Sequence, residues 1–246
     1  MKDLIDKFKE LKLKSCAEHL ETVMKRAESE NWPYEKTTAH LMGLEIERRR
    51  LTRIEQRYKH SKLNERPTID QFDFHHHVSR QEQKNQLLSL LSMEFVRQKK
   101  DVVLIGNPGV GKSFAAKIIA YAATQKGVKT LFTTAMDMIN HLISAQADRT
   151  LLKKLHAYQT PDLLVVDEIG YLSLGEAGSH LFFQVVSSRH ERKSTMITTN
   201  RPFADWGKIF DSTTVATAIA DRLVCGSEVF IFEGESYRKR KNRKAE

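Results

Sequence analysis

The sequence has only two cysteines, five prolines and eleven glycines among 246 residues. No apolar stretch in it approaches the roughly 18 residues that a bilayer span needs. Each shortage excludes something. Cys16 and Cys225 stand alone without CxxC spacing, so neither a disulfide framework nor a cysteine zinc site is expected, only plain thiols. Sparse glycine and proline argue against long low-complexity segments. The amino end, MKDLIDKFKELKLK, has no apolar core of the kind a secretory signal carries, so the expectation is a cytoplasmic protein with no membrane attachment. His75, His76 and His77 have no cysteine or carboxylate pair at ligand spacing beside them and read as a polar connector. What remains is a soluble globular composition, 40% hydrophobic and 29% charged, long enough for one large α/β domain with a small appendage.

The net charge of +9 is unevenly placed. Residues 1–62 hold 15 basic and 11 acidic side chains, residues 63–237 hold 19 of each, and residues 238–246 hold 6 basic and 1 acidic. Between positions 48 and 62, Arg48, Arg49, Arg50, Arg53, Arg57, Lys59 and Lys62 face a single acid, Glu55. Arg49, Arg53 and Arg57 recur every four residues and would stack along one helix face, a spacing that can track a phosphate backbone. A solvated helix surface is the plainer alternative. The tail RKRKNRK makes a second basic cluster on a chain whose middle is neutral, which favours nucleic acid bound through its backbone. Arg48, Arg49, Arg50, Arg53 and Arg57 are therefore the candidate DNA-binding residues.

Periodicity predicts a first helix over about 2–27 and a second that opens near Pro33 after an Asn31 cap and ends in the arginine-rich stretch. These form a helical amino-terminal domain, 1–65. A connector with Pro67, Ile69, Phe72 and Phe74 covers 66–78. A capping box from Ser79 to Glu82 predicts a helix running to about Gln98. Strands are then predicted over 102–105, 130–134, 163–166, 195–199 and 229–232, with helices over 112–125, 136–145, 176–191 and 213–224. This alternation implies a parallel sheet covered on both faces, within a domain spanning 79–237 that is followed by the basic tail, 238–246.

Three motifs carry chemistry. GNPGVGKS, comprising Gly106, Asn107, Pro108, Gly109, Val110, Gly111, Lys112 and Ser113, matches GxxxxGK[ST] directly after the apolar run DVVLI and before FAAKIIAYAA. Glycines let the backbone N–H groups turn toward phosphates, Lys112 would reach the β and γ oxygens, and Ser113 offers a hydroxyl to Mg²⁺. The bare pattern should arise by chance in about one chain of this length in a hundred, and the strand-to-helix setting lowers that. DLLVVDEIG ends a buried strand in Asp167, placed to hold Mg²⁺, and Glu168, placed to orient and deprotonate a water. Taken alone, an Asp-Glu pair there could equally be a helix cap or a turn. STMITTN ends another strand in Asn200, whose amide could position the same water, although an isolated Asn at a strand end is usually a turn residue.

These motifs, in this order and spacing, resemble the AAA+ ATPases, and within them the IstB-like ATP-binding proteins and the DnaC-type helicase loaders. The resemblance is carried by LLVVDEIGYLSL (163–174), SSRHERKSTMITTNRPFADWGKIF (187–210), AIADRL (218–223) and GESYRKR (234–240), with FKELKLKSCAEHL and RPTIDQFDF similar to the amino-terminal part. Ser173 stands where that family usually has proline. The resemblance implies an α/β, AAA+ P-loop NTPase fold with a five-stranded parallel sheet, a small α-helical N-terminal domain and assembly into rings or spirals. It also implies that Arg222 is an arginine finger serving a neighbouring subunit; a salt bridge with Asp221 or Glu228 is the other role open to it. Arg238 could be a second phosphate sensor or the first residue of the tail. After the last strand too few residues remain for a C-terminal helical lid, so the adenine pocket must be completed elsewhere, with Phe72 and Phe74 as candidates.

The expected function is an ATP- and Mg²⁺-dependent ATPase that forms a homo-oligomer on double-stranded DNA and assists a DDE-type transposase. A DnaC-like helicase loader is the first alternative. A passive architectural DNA-binding protein is the second, and the presence together of Lys112, Ser113, Asp167, Glu168 and Asn200 argues against it.

Overall fold

The structure is a computed structural model that describes residues 1–237; the basic tail and Arg238 lie outside the described residues. The chain divides into two units, residues 1–56 and 57–246.

The first unit is built from α1 (Lys2–Glu10), α2 (Lys14–Ser29) and most of α3 (Tyr34–His60). The single helix predicted over 2–27 is two helices. Lys12 takes φ 57°, and the Leu13 N–H reaches back to the Phe8 carbonyl at 2.8 Å, closing α1 with a left-handed residue that is not glycine. The turn lets Ile5, Phe8 and Leu13 all reach the core formed by Cys16, Leu20, Val23 and Leu41. Asn31 does not cap α3. It adopts φ 48° in the turn that ends α2, and the first carbonyl of the next helix is that of Pro33, which accepts from the Thr37 N–H at 3.1 Å. Cys16 is fully buried, its thiol donates to the Leu41 carbonyl, and burial raises its pKa.

In the second unit the stretch from Val78 to Gln98 is broken as well. It forms α4 (Val78–Glu82), α5 (Lys84–Ser89), a 3-10 turn and α6 (Glu94–Arg97). The cap is His77, whose Nδ1 accepts from the Ser79 N–H at 3.2 Å, rather than Ser79 itself. Leu87, Leu90, Met93 and Phe95 all enter one core, yet Met93 and Phe95 would point about 160° apart on a continuous helix. Met93, at φ 66°, supplies the turn that brings both inward.

Then follow β1 (Val102–Gly106), α7 (Lys112–Gln125), β2 (Thr130–Thr134), α8 (Ala135–Ala147), α9 (Leu151–Gln159), β3 (Leu163–Ile169), α10 (Gly175–Arg189), β4 (Ser194–Thr199), α11 (Thr213–Val224) and β5 (Glu228–Phe232). All strand pairs are parallel, in the order β2-β3-β4-β1-β5. Strand β4 is buried along its whole length and β3 at every residue but Glu168, because both sheet faces are covered, while edge strand β5 is only partly buried. Side-chain alternation divides the core: Val103 joins the cluster with α8, α10 and α11, whereas Val102 and Leu104 join the one with α7 and the connector. Helix α9 was not predicted; its sequence LLKKLHAYQ buries Leu155 and Tyr158 but leaves Leu152 exposed.

Candidate functional site

Strand order decides what meets at the carboxyl ends of the strands. β1 lies between β4 and β5, so the loop after β1 has the ends of β3 and β4 on one flank and the end of β5 on the other. Gly106 is required by close approach: a Cβ there would stand 2.1 Å from the Phe232 carbonyl oxygen. Gly111 caps α7 at φ 98°, a left-handed conformation that turns the loop's N–H groups inward at the helix start. Lys112 is buried and its Nζ donates to the carbonyls of Gly106 and Asn107, both at 2.8 Å. Val110 is buried, and Asn107 and Pro108 are exposed on the outer curve of the loop.

Ser113 and Asp167, 54 residues apart, meet directly: the hydroxyl donates to Asp167 Oδ1 at 2.8 Å. The same Oδ1 accepts from the Thr198 hydroxyl on β4, and Thr198 Oγ1 in turn accepts from the Glu168 N–H at 2.9 Å. Sequence reading missed Thr198, because a threonine inside an apolar strand carries no signal until the neighbouring strand is known. β3 and β4 slip register between Val166 and Ile169, and Glu168 takes φ 64° within that irregularity. A bulge of this kind re-aims a side chain, and here it puts an exposed carboxylate on the cavity wall instead of a sheet face. Asn200 lines the same cavity, with its Oδ1 buried and without a hydrogen-bond partner.

The cavity holds about 420 Å³, the size of a small-molecule site. Its walls combine Gly109, Gly111, Lys112, Ser113, Glu168 and Asn200 with groups the sequence did not single out: Gln71, Asp73, Arg80, Phe114, Tyr171 and Tyr237. Of the two connector phenylalanines, Phe72 forms part of the wall, while Phe74 packs behind it at 4.9 Å between ring centroids. The residues fit a Mg²⁺ nucleotide. Ser113 and Asp167 form a hydroxyl and carboxylate pair at the start of a helix, and Mg²⁺ on phosphates characteristically uses only one or two protein oxygens.

Arg222 is not on the wall of its own cavity. Its guanidinium donates to the Ala218 carbonyl of α11 at 2.8 Å and lies 4.8 Å from the Phe183 ring, rather than pairing with Asp221 or Glu228. The five arginines of α3 are also placed differently from one another. Arg48 and Arg49 both pair with Glu45, at 2.6 and 2.8 Å, and Arg50 pairs with Glu47 at 2.8 Å. These acids lie just upstream of the window in which only Glu55 was counted. Glu45 is 3% exposed and also accepts from the Ser15 N–H; the Arg48 bond leads in pulling its pKa down to about 2. Arg53 is exposed on the first unit. Arg57, half-buried in the second, lies against Gly127. Of the three histidines, His76 bonds the Glu235 carbonyl and His77 caps α4. Among the described residues no helix is long and apolar enough to cross a membrane.

A family model described as IstB-like ATP binding protein matches residues 6–245. An ATP-binding protein of insertion sequence IS5376 from Geobacillus stearothermophilus is 36% identical, covering 99% of this chain and 96% of that protein. Its counterpart from insertion sequence IS21 of Pseudomonas aeruginosa is 32% identical over 96% and 88%. Among solved structures, the DnaC helicase loader superposes with TM-score 0.55 at 22% identity, covering 68% of this chain and 96% of that one. AMPPCP-bound DnaA from Aquifex aeolicus gives 0.60 at 17%, covering 74% and 56%. Both structural likenesses show the AAA+ fold.

Proposed function

This chain belongs to the IstB-like ATP-binding proteins of insertion sequences, and from that premise we propose that it is a cytoplasmic ATPase that assembles on duplex DNA and assists a DDE-type transposase. The observation that carries the reading is the meeting of Ser113 with Asp167 below a bulge that aims Glu168 at the same cavity, in a chain matched from residue 6 to 245 by an ATP-binding family.

In this reading Lys112 binds the β and γ oxygens, exchanging its two loop carbonyls for them, and Ser113 and Asp167 hold Mg²⁺. Bound there, Mg²⁺ would neutralise charge on the phosphates. Glu168 orients a water and takes its proton on a carboxylate oxygen, while Thr198 fixes both the Asp167 carboxylate and the Glu168 backbone. The Asn200 amide, with its unpaired Oδ1, holds the same water from the next strand. Arg222, outside its own chain's cavity, would act on a neighbouring copy, which makes hydrolysis a property of a homo-oligomer. The basic residues of α3 and of the tail would bind phosphates along the duplex.

The test is assembly on linear duplex DNA, imaged by electron microscopy with ATP and with ADP, for the wild type, Lys112→Ala and Glu168→Gln. ATP-dependent filaments or rings are expected from the wild type, none from Lys112→Ala, and persistent assemblies from Glu168→Gln. Equal assembly with and without nucleotide would sink the reading. Retention of a replicative helicase rather than a transposase in a pull-down would move the chain to the helicase-loader alternative.

A further inference from the structure

The direction in which a nucleotide lies across the cavity follows from strand order. Asp167, Glu168, Thr198 and Asn200 belong to the β3 and β4 flank of the phosphate loop, so the terminal phosphate lies on that side. Ribose and base are left to the β5 flank. There α4 is bound to β5: the Gln83 side chain both donates to the Ile231 carbonyl, at 2.7 Å, and accepts from its N–H, at 3.0 Å. The Glu233 N–H bonds the Ser79 hydroxyl, and the Tyr237 N–H bonds the Gly109 carbonyl of the phosphate loop. Arg80 stands in the middle of these contacts.

Arg80 is only 5% exposed. Its Nη1 donates to the Asp73 carbonyl at 2.8 Å and its Nη2 to the Val110 carbonyl of the phosphate loop. The guanidinium lies 4.9 Å from the Phe72 ring centroid and 5.8 Å from that of Tyr237. Its Nε is buried with no hydrogen-bond partner. Carbonyls and ring faces take up part of its charge and Asp73 attracts it from a distance, but among the described residues no carboxylate is within ion-pair distance, and burial, the largest effect, lowers the pKa of the group. A cation that is nearly buried, beside the cavity, with one donor unused and no carboxylate in contact is costly to keep unless something fills that role. A strut between the connector and the phosphate loop would need the two carbonyl bonds but neither the positive charge nor the spare donor.

We propose that Arg80 is a nucleotide-binding residue, contacting the α-phosphate and the ribose beside it, which ATP and ADP share, and receiving from that phosphate the contacting negative charge that no carboxylate supplies. The proposal rests on the cavity being the ATP site. It ties the connector, the phosphate loop and the segment 233–237 to one ligand.

The experiment is titration of the full chain with ATP and with ADP, for the wild type, Arg80→Gln, Arg80→Lys and Lys112→Ala, together with thermal unfolding of each without nucleotide. Losing one charge-assisted hydrogen bond should weaken binding about ten- to a hundredfold in Arg80→Gln, by the same factor for ATP and ADP. Its nucleotide-free melting temperature should be no lower than that of the wild type, because removing a nearly buried cation with no carboxylate in contact offsets the loss of its two carbonyl bonds. Undiminished affinity with a lowered melting temperature makes Arg80 a strut and overturns the proposal. A loss confined to ATP also overturns it, by placing Arg80 at the terminal phosphate. Should Arg80→Gln not fold, Arg80→Lys decides: it keeps the charge but has no donor at the Nε position, so about tenfold weaker binding is expected and unchanged binding refutes. A folded wild type that binds no nucleotide removes the ATP site and the proposal together, whereas weak binding in Lys112→Ala alone leaves the site standing and the proposal refuted.

Discussion

Glu45→Gln tests whether the buried carboxylate of α3 organises the first unit. Glu45 accepts from Arg48, Arg49 and the Ser15 N–H, and ionises near pH 2 in the folded chain against an ordinary 4.5. That difference corresponds to at most about 3.4 kcal/mol at neutral pH. Arg48 and Arg49 are themselves 33% and 45% exposed, so solvent screening brings the expected effect to about 1–2 kcal/mol. Glutamine keeps an oxygen for the Ser15 N–H, so the substitution removes chiefly charge. Because the folded pKa is depressed, the stabilisation is complete above about 4.5 and is lost as pH falls through 2. Urea unfolding of wild type and variant should therefore differ by 1–2 kcal/mol at pH 7, with more than half of that difference gone by about pH 3. A variant as stable as the wild type at pH 7, or a deficit undiminished in acid, would refute the argument.

Freeing Arg48 and Arg49 in Glu45→Gln should also strengthen duplex binding at low salt, read by titration. Arg53→Ala and Arg57→Ala should each flatten the dependence of log K on log salt by about 0.9, the share of one phosphate contact, whereas an unchanged slope would leave these residues out of the interface. Glu168→Gln should bind ATP with wild-type affinity yet release phosphate at least about a hundredfold more slowly; undiminished release would assign the base elsewhere. Mixing Arg222→Ala with Lys112→Ala copies should restore part of the ATPase activity that each lacks alone, and no recovery would refute a finger acting between subunits. Burial raises the Asp101 pKa to about 7 while Thr195 donates to the carboxylate at 2.6 Å. For this acid the folded state holds the proton longer, so its contribution to stability falls as pH rises from about 4 to 7 and is flat above. Asp101→Asn should remove that slope, visible as a flatter melting-temperature profile.

The sheet and the phosphate end of the site were legible in the sequence because their signals are local. A strand buried on both faces is a run such as DLLVVD, and the loop between β1 and α7 spells its chemistry in eight consecutive residues. Register breaks were not legible. The turns at Lys12 and Met93 use residues with no preference for left-handed backbone, and tertiary packing imposes them, whereas Asn31 suits that backbone but suits a helix N-cap equally well. Charge pairing is hidden for a different reason: Glu45 and Glu47 lie three residues before Arg48 and Arg50, outside the basic stretch 48–62, and neutralise it from its upstream side.

The base end of the cavity was illegible on stronger grounds. His76 meets the Glu235 carbonyl across 159 residues, and Arg80 stands between Phe72 and Tyr237 only because α4 and the segment after β5 close on the same edge strand. No periodicity or motif links such positions, since what joins them is the place of β5 beside β1. The two ends therefore differ in physical kind. The phosphate end depends on a short stretch of backbone whose N–H groups any bound phosphate would use. The other end depends on side chains gathered from the connector, α4 and the carboxyl segment, so it is assembled only when the second unit is folded. A substitution at Phe72, Arg80 or Tyr237 should thus weaken ATP and ADP alike through the base-proximal end of the nucleotide, whereas Lys112→Ala should weaken the hold on the β and γ phosphates.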